Sequence, residues 1–397
     1  MDVVTDSSKI KEVLTRAVER IYPCSEELEK AMASGKRLKL YCGYDPSSPS
    51  LHIGHVITFK KLGQFQELGH EVIMLIGDFT GMIGDPTDKT AARRKLTRKE
   101  VLGNSKDYRK YAGKFIKFSG KNSAKVLYNS QWSDKLRFSD LIEISSNFTV
   151  QQMIVRDMFQ ERLSNKKPIF LHEFLYPLAQ AYDSVAMDVD LEIGGRDQTF
   201  NMLCGRGLMR ALKNKEKYVL TVKLLTDPSG KKMGKTESNM VSLSCGAGEM
   251  YGRIMSWPDS LIYLGFELCT DLPMEKIKKI EKEAAPREAK SLLAKEIVAV
   301  CHGRESAEKA EREFKKIFQK KEMPSKIPVV KINEPSLVIL NLLVQTGLCP
   351  SKAEAKRLIL QKGVKINGKI QDNWQKEIKI KKNLVVQVGK RKFAKLA

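Results

Sequence analysis

An apolar run, a helix-like stretch and a second apolar run follow one another near the N-terminus, and this order constrains the fold most. Residues 37–43, "RLKLYCG", and 70–78, "HEVIMLIGD", have the composition of buried strands. The stretch between them, "HVITFKKLGQFQELG", has a helical pattern. Strand, helix and strand in this order predict a βαβ unit, in which the two strands lie parallel in one sheet.

Later segments extend the α/β prediction along the chain. "KYVLTVKLLTD", which begins at Lys217, is typical of a strand pair or a broken strand, and residues 97–175 are mostly helical in pattern. After Met240 come two amphipathic, charged stretches that predict helices. The prolines of "KKEMPSKIPVVKINEP" interrupt this pattern and predict a linker.

The C-terminal segment has the local features of a small folded module. Ser351 and Glu354 have the spacing of a capping box, and Gly363 fits the stop of the helix that follows. Asn367-Gly368 is typical of a two-residue hairpin turn. Residues 334–397 contain 14 Lys and Arg against 4 Asp and Glu. Such a basic excess favours a polyanionic partner, although lysine-rich composition or solubility also accounts for it.

The composition of the whole chain excludes several classes of protein. The net charge is +23, which again favours nucleic acid as a partner. Seven cysteines without a CxxC spacing argue against a disulfide framework or a zinc knuckle, and for a reducing compartment. No uncharged apolar run reaches the roughly 18 residues of a membrane helix, and the first residues lack the apolar core of a signal peptide.

Two of the five histidines, His52 and His55, stand at the predicted strand-to-helix turn. Their spacing admits a zinc site, for which Cys42 or Asp45 would have to supply a further ligand. It also admits simple packing. The third interpretation is a phosphate site, in which Gly54 lets a nucleotide approach the start of a helix whose N-terminus favours an anion.

A second segment, "PSGKKMGKTES", carries the cations that a phosphate site requires. Gly230 and Gly234 predict a mobile loop, and Lys232 and Lys235 lie within it. Taken alone, a loop rich in lysine and glycine is more often a solvated surface turn than a phosphate site.

Together, His-Ile-Gly-His at 52–55 and Lys-Met-Gly-Lys-Thr at 232–236 resemble the paired motifs of the class I aminoacyl-tRNA synthetases. Glycine and threonine at 234 and 236, where the common form has serines, are similar to the tyrosine-specific branch. "LYCGYDPSSPSLHIGH", "TGMIGDPTDKTAARR", "LYPLAQAYDS" and "EIGGRDQTFN" also resemble that branch. In the last, Thr199-Phe200-Asn201 replaces the common Trp-Gly-Asn, as in one bacterial subgroup. The C-terminal module resembles the ribosomal-protein-type RNA-binding domain of the bacterial members.

The resemblance implies an α/β fold with a Rossmann-type parallel sheet and further domains. The expected organisation is a catalytic domain over 1–240 with a helical insertion at about 120–170, an α-helical anticodon-side domain over 241–325, a linker over 326–333 and an α+β RNA-binding module over 334–397. It further implies a cytoplasmic homodimer, without a membrane partner, whose interface includes residues 130–165.

The implied reaction is the activation of L-tyrosine with ATP to tyrosyl-adenylate, followed by transfer to tRNA(Tyr). By resemblance Ser47 and His52 bind the departing pyrophosphate, and four cations close on it: Lys89, Arg93, Lys232 and Lys235. ATP is otherwise bound by Asp45 and, around its ribose and adenine, by His55, Cys42, Gly43 and Asp197. The expected tyrosine ligands are Tyr41 and Asp183 at the phenol, Asp85, Tyr176 and Gln180 at the ammonium group, and Gln198 at the carboxylate.

The tyrosine carboxylate is already an anion, so it attacks the α-phosphate without a general base, and catalysis is positioning and electrostatics. Mg²⁺ is expected to arrive with ATP, without a dedicated protein metal site. Two alternatives remain at this stage: a nucleotidyltransferase of the same superfamily that does not use RNA, and a catalytically inactive RNA-binding paralogue.

Overall fold

Six strands form the main sheet in a computed structural model that describes residues 2–86, 95–226, 240–318, 327–389 and 392–397. The chain divides into two units, residues 1–304 and 305–397. The strands of the first unit are β1 (Val18–Tyr22), β2 (Lys39–Tyr44), β3 (Glu71–Ile76), β4 (Lys125–Tyr128), β5 (Leu191–Gly195) and β6 (Tyr218–Val222). Those of the second are β7 (Val329–Val330), β8 (Ser336–Val338), β9 (Val364–Ile366), β10 (Lys369–Gln371), β11 (Glu377–Lys379), β12 (Val385–Val388) and β13 (Lys392–Leu396).

Helices occupy most of the remaining described chain. Before β5 they are α1 (Ser7–Thr15), α2 (Ser25–Ala33), α3 (Ile53–Glu67), α4 (Thr80–Ile83), α5 (Arg98–Ser105), α6 (Tyr108–Ala112), α7 (Ser130–Ser133), α8 (Phe138–Ser145), α9 (Val150–Ile154), α10 (Asp157–Ser164) and α11 (Leu171–Met187). After β5 they are α12 (Thr199–Lys213), α13 (Ala247–Ile254), α14 (Ile262–Cys269), α15 (Met274–Glu283), α16 (Pro286–His302), α17 (Arg304–Phe318), α18 (Ile339–Gln345) and α19 (Lys352–Leu360).

The predicted βαβ unit is present as β2, α3 and β3. β2 and β3 pair in parallel along their whole length, with Tyr41 opposite Ile73. The strand order is β1-β6-β5-β2-β3-β4, and all pairs are parallel except β1 with β6. The predicted α/β fold with a parallel sheet is therefore confirmed.

Two segments of the sheet differ from the sequence prediction. The range expected for the helical insertion, about 120–170, also contains β4, which pairs in parallel with β3 and so belongs to the sheet. "KYVLTVKLLTD" forms the single strand β6 rather than a strand pair. β4 has only four residues, Lys-Val-Leu-Tyr, which is too short a run to show a strand pattern in the sequence, and its side chains are half-buried or exposed.

Residues 241–304, expected to begin a separate helical domain, lie in the first unit together with the sheet. Among the described residues, no helix is long and apolar enough to cross a membrane. All seven cysteines are unpaired.

In the second unit, β12 and β13 pair antiparallel and an apolar core includes Leu342, Val364 and Val386. Residues 329–330, within the expected linker, form β7, which pairs in parallel with β13. β-branched valines suit such a strand.

The turns of this unit follow the sequence prediction in part. Asn367 and Gly368 both have positive φ angles and join β9 to β10 in the predicted hairpin. Ser351 caps α19 by accepting from the Glu354 backbone N–H at 3.3 Å, but the Glu354 carboxylate pairs with Arg357, so only half of the capping box is present. Lys362, not the glycine after it, has the positive φ angle beyond the helix end.

Candidate active site

Those predicted site residues that the structure describes gather where the order of the sheet reverses. From β2 the chain proceeds outward to β3 and β4, and then returns to the other side of β2 as β5 and β6. In open parallel sheets a crevice forms at such a reversal, outside the carboxyl ends of the strands. Residues 41–45 at the end of β2 and 194–198 at the end of β5 both lie at this edge.

His52 and His55 build the start of α3. His52 is the N-cap, and its Nδ1 accepts a hydrogen bond from the Gly54 backbone N–H at 3.2 Å. The His52 backbone N–H in turn donates to His55 Nδ1 at 3.1 Å, and the two ring centroids are 4.1 Å apart. A neutral imidazole that accepts at Nδ1 carries its proton on Nε2. His52 thus combines a helix N-terminus with an N–H donor, which suits an anion.

The zinc interpretation of this pair gains no third ligand. In the part of the chain that the structure describes, no group of three or more His, Cys, Asp or Glu could hold a metal ion. The Nδ1 atoms of both histidines contact backbone atoms at the helix start instead.

Asp45 connects the end of β2 to α11. Its carboxylate accepts from Thr80 Oγ1 at 2.7 Å and from Tyr176 Oη at 2.8 Å. A side chain at Gly77 would collide with this carboxylate, so a glycine is required there. Burial raises the pKa of the Tyr176 phenol well above its usual range, and the Asp45 and Asp85 carboxylates add to this. Tyr176 therefore remains protonated and acts as a donor.

Asp183 is a buried carboxyl on α11, 2% exposed. Its Oδ1 accepts from Trp132 Nε1 at 2.8 Å and its Oδ2 from Asn129 Nδ2 at 3.2 Å. Burial raises the pKa of this carboxyl well above its usual range, and the two hydrogen bonds oppose the shift. A carboxylate has about four lone-pair sites, so Asp183 can accept a further hydrogen bond.

Tyr41 lies beside Asp183 and contacts a buried polar network. Its Oη is 3.0 Å from Ser184 Oγ, which also accepts from Lys217 Nζ at 2.8 Å. Lys217 makes a short ion pair with Glu192 Oε2, and all four side chains are at most 2% exposed. Burial lowers the pKa of the Lys217 ammonium and the Glu192 carboxylate opposes that shift. Burial also raises the pKa of the Tyr41 phenol.

Gln180 and Gln198 are held by carboxylates on the two sides of the crevice. Gln180 Nε2 donates to Glu192 Oε1 at 2.9 Å, and Gln198 Nε2 donates to Asp85 Oδ2 at 2.6 Å. Asn201 Nδ2 donates to Gln198 Oε1 at 2.9 Å, so the asparagine of the unusual Thr-Phe-Asn sequence fixes the neighbouring glutamine. The six expected tyrosine ligands thus fall into connected hydrogen-bonded groups.

The expected ATP ligands lie nearer to solvent. Gly43 and Ser47 are exposed and Asp197 is half-buried. Apart from its chain neighbours, no atom of the described residues lies within 4 Å of the position that a Gly43 Cβ would take, which leaves its backbone accessible to a ligand. Cys42 is an exception, because its side chain is buried and burial raises the pKa of the thiol to about 12.

Lys89, Arg93, Lys232 and Lys235 lie outside the described residues. The residues that follow the lysine segment are placed, however. Ile53 N–H donates to Val241 O at 2.9 Å, and Leu243 N–H donates to Leu51 O at 2.8 Å. The chain therefore continues from the lysine segment directly beside the histidine turn.

Sequence reasoning missed Ser184, Glu192 and Lys217, and the Asp183 partners Asn129 and Trp132. A lysine immediately before an apolar strand was an available signal for Lys217. The other four side chains meet only through the packing of α11 against the sheet and α12.

Comparison with known proteins gives consistent matches over nearly the whole chain. The family model of class I tRNA synthetases for tryptophan and tyrosine matches residues 33–319, and that of the tyrosine–tRNA ligase SYY-like C-terminal domain matches residues 318–396. A tyrosine–tRNA ligase of Moorella thermoacetica is 42% identical, with 97% of this chain and 94% of that protein covered. One of Thermotoga maritima is 40% identical, with 99% and 98% covered.

Solved structures match as well. A C-terminally truncated mitochondrial tyrosyl-tRNA synthetase of Coccidioides posadasii has a TM-score of 0.63 at 26% identity, with 77% of this chain and 90% of that chain covered. The Archaeoglobus fulgidus tyrosyl-tRNA synthetase, solved with L-tyrosine, has a TM-score of 0.60 at 20% identity. The match covers 77% of this chain and 100% of that chain, and at this identity it is evidence for the fold only.

Proposed function

The chain belongs to the tyrosine–tRNA ligases of the class I tRNA synthetases, and we infer that it activates L-tyrosine with ATP and transfers the tyrosine to the 3′-terminal ribose of tRNA(Tyr). The observation that carries this inference is the juxtaposition of two sites at one sheet edge. Buried Tyr41 and Asp183 suit a phenol, and the His52 helix start suits a phosphate.

The tyrosine pocket holds its substrate at both ends. At the phenol, Asp183 accepts the substrate O–H while the Tyr41 hydroxyl donates to the phenolic oxygen. At the other end, Asp85, Tyr176 and Gln180 hold the ammonium group, and Gln198 lies beside the carboxylate. The bond between Gln198 and Asp85 supports this assignment, because the two groups they serve are attached to the same carbon of an amino acid.

The nucleotide lies between the ends of β2 and β5 and the start of α3. Ser47 and His52 bind the pyrophosphate as negative charge develops on it, and the helix N-terminus adds to this stabilisation. Cys42, Gly43, Asp45, His55 and Asp197 surround the ribose and adenine. Lys89, Arg93, Lys232 and Lys235 supply the remaining positive charge. Mg²⁺ enters with ATP as part of the substrate.

The second unit contributes RNA binding through its basic surface, mainly by contacts to the sugar–phosphate backbone. Exposed apolar side chains support a homodimer whose interface includes residues 130–165: Phe138, Val150 and Val155 are 77%, 70% and 63% exposed. The protein acts in the cytoplasm.

The direct test is aminoacylation of bulk tRNA with each of the twenty amino acids. We expect charging with tyrosine alone, together with tyrosine-dependent exchange of pyrophosphate into ATP. Exchange without charging would identify a nucleotidyltransferase that does not use RNA, and RNA binding without exchange would identify an inactive paralogue.

The role of the second unit is tested separately by removing residues 334–397. We expect pyrophosphate exchange to persist and tRNA charging to fall, since the deleted residues carry a net charge of about +10. Lys352→Glu/Lys369→Glu, which changes two exposed lysines in the full-length chain, should weaken charging at low salt and make its remaining fall with rising salt less steep. Charging at the full rate across a salt series would contradict this role.

A further inference from the structure

We propose that the buried Lys217–Glu192 ion pair positions the polar groups of the tyrosine pocket, and that Lys217, through Ser184, fixes the direction in which the Tyr41 hydroxyl donates. This inference rests on the proposed function, because it assigns Tyr41 to the substrate phenol. It adds Ser184 and Lys217 as positioning residues that determine specificity without touching the substrate.

The first step is the hydrogen-bond chemistry of Lys217. An ammonium group has three donors and no acceptor. Lys217 Nζ lies 2.8 Å from Ser184 Oγ, so the serine oxygen must accept from it. The serine proton then points elsewhere. Its two other neighbours in the network are Tyr41 Oη at 3.0 Å and Glu192 Oε2 at 3.5 Å.

The distances decide between these two acceptors. Hydroxyl donors form good hydrogen bonds at 2.5–3.0 Å, and 3.5 Å is outside that range. Ser184 therefore donates to Tyr41. Since the Tyr41 oxygen now accepts from Ser184, its own proton does not return to the serine. Its possible acceptors are the Glu192 carboxylate, which bonds the Tyr41 hydroxyl and is already paired with Lys217, and an oxygen in the pocket. Hydrogen bonds are therefore donated from Lys217 to Ser184, from Ser184 to Tyr41, and from Tyr41 into the pocket.

This direction matches what a substrate phenol needs. Asp183 is the acceptor for the phenol proton, so the phenolic oxygen can only accept a hydrogen bond from Tyr41. A Tyr41 hydroxyl that donated back to Ser184 would present lone pairs to that oxygen, which is unfavourable. With phenylalanine in the pocket, both Tyr41 and Asp183 lose a partner in a buried site, which is costly.

Glu192, the other member of the buried ion pair, orients Gln180. A carboxylate accepts only, so the Gln180 amide nitrogen faces Glu192 Oε1 at 2.9 Å. The Gln180 carbonyl oxygen then faces away from Glu192 and is suited to the substrate ammonium. One ion pair thus sets a donor at the phenol end and an acceptor at the ammonium end.

The surrounding fold makes room for this pair. Gly205 on α12 packs directly against it: a Cβ at this position would lie 2.5 Å from Lys217 Nζ and 2.9 Å from Ser184 Oγ. Removing one partner of a buried ion pair is strongly destabilising. The decisive variant is therefore Ser184→Ala, which interrupts the chain of hydrogen bonds and leaves the ion pair intact.

The experiment measures the ratio of kcat/KM for tyrosine over phenylalanine in pyrophosphate exchange. We expect Ser184→Ala to lower this ratio about tenfold, with the KM for ATP and the melting temperature little changed. Ser105→Ala is the matched control, because Ser105 is a buried serine on α5 whose hydroxyl donates to Leu102 O at 2.9 Å, and it should leave the ratio unchanged.

A double-mutant cycle separates positioning from a general loss of packing. Because Ser184 acts through Tyr41, Ser184→Ala should have no further effect on the ratio in a Tyr41→Phe background. Gln180→Ala, which leaves the ion pair in place, should lower kcat/KM for both amino acids by similar factors, because both carry the ammonium group that Gln180 faces.

The outcomes are distinguishable. Two results would overturn this inference while leaving the proposed function in place. One is a ratio in Ser184→Ala that stays within twofold of the ratio of the unsubstituted protein. The other is that the effects of Ser184→Ala and Tyr41→Phe on the ratio multiply in the double variant. An unsubstituted protein without tyrosine-dependent exchange would overturn the proposed function and this inference together.

Discussion

The proposed amino-acid pocket and the proposed nucleotide side lie at the ends of the same strands, but their polar groups are held differently. In the pocket, Tyr41 and Asp183 are almost fully buried, and each contacts polar side chains from other elements. On the nucleotide side, His52 and His55 are half-buried and bond to the backbone at the start of their own helix. One side is built by tertiary packing and the other by local structure.

The difference follows from what each side has to recognise. Tyrosine and phenylalanine differ by one hydroxyl, so a pocket rejects phenylalanine only through buried polar groups that would be left unpaired. Such groups must be fixed before the substrate binds. ATP presents several charged oxygens, and a helix N-terminus with nearby cations stabilises charge without exact placement of one hydroxyl. The following predictions test this contrast.

The largest effect is expected for Asp183→Ala on the pocket side. This change removes the acceptor of the substrate phenol and leaves the donors of Trp132 and Asn129 without it. We expect kcat/KM for tyrosine to fall at least about 100-fold, or about 3 kcal/mol, with the KM for ATP within about threefold. A rise in the KM for ATP as large as the fall in kcat/KM for tyrosine would show that the two sides are not independent.

The same carboxyl gives a pH dependence of known sign. Burial raises the pKa of Asp183, so the carboxyl takes up a proton at a higher pH than an ordinary aspartate. Since the protonated form no longer accepts the phenol proton as an anion, the KM for tyrosine should rise as pH falls through this pKa. Asp183→Asn should remove this dependence, whereas Asp188→Asn, at the exposed C-terminal cap of the same helix, should retain it.

The contrast also explains how much of the molecule could be predicted from its sequence. The βαβ unit was predictable because the periodicity of its apolar residues is local, and the helix start at His52 was predictable for the same reason. β4 was not, because a four-residue edge strand without buried side chains has no such pattern. The histidines and lysines of the candidate phosphate site could be selected from local sequence, whereas the roles proposed for the tyrosine ligands came only through resemblance of motifs to a family.

The Lys217 network shows why the remainder could not be predicted. Ser184 lies on α11, Glu192 on β5 and Lys217 just before β6, and they meet only when these elements pack. The position of Lys217 immediately before an apolar strand is a local signal, but it does not separate a buried lysine from a solvated one. Gln180 was expected at the ammonium group, but its contact with Glu192 required the tertiary structure.

An intermediate effect is expected for His52→Asn on the nucleotide side. Asparagine is a favourable N-cap, so the start of α3 should persist, while the Nε2–H donor is lost. We expect the rate constant for adenylate formation to fall about 10- to 100-fold in single-turnover experiments. The KM for tyrosine should change less than about twofold. A parallel rise in that KM would mean that the helix start also shapes the amino-acid pocket.

The smallest effect is expected for Cys42→Ala, which changes the one buried side chain among the expected ATP ligands that the structure describes. Burial raises the pKa of this thiol to about 12, so it remains protonated at pH 7–10 and can act only as a weak donor. We expect a loss of about 1 kcal/mol or less in kcat/KM for ATP, and an unchanged ratio of tyrosine over phenylalanine. The effect should be constant over this pH range, because the thiol does not ionise there.

Cys204→Ala, at a second buried thiol whose pKa is also raised to about 12, should leave the kinetics for ATP unchanged. If the loss of kcat/KM for ATP in Cys42→Ala instead changed with pH near 8 or 9, the thiol would ionise when ATP binds. The nucleotide side would then rely on a buried charge, as the amino-acid pocket does.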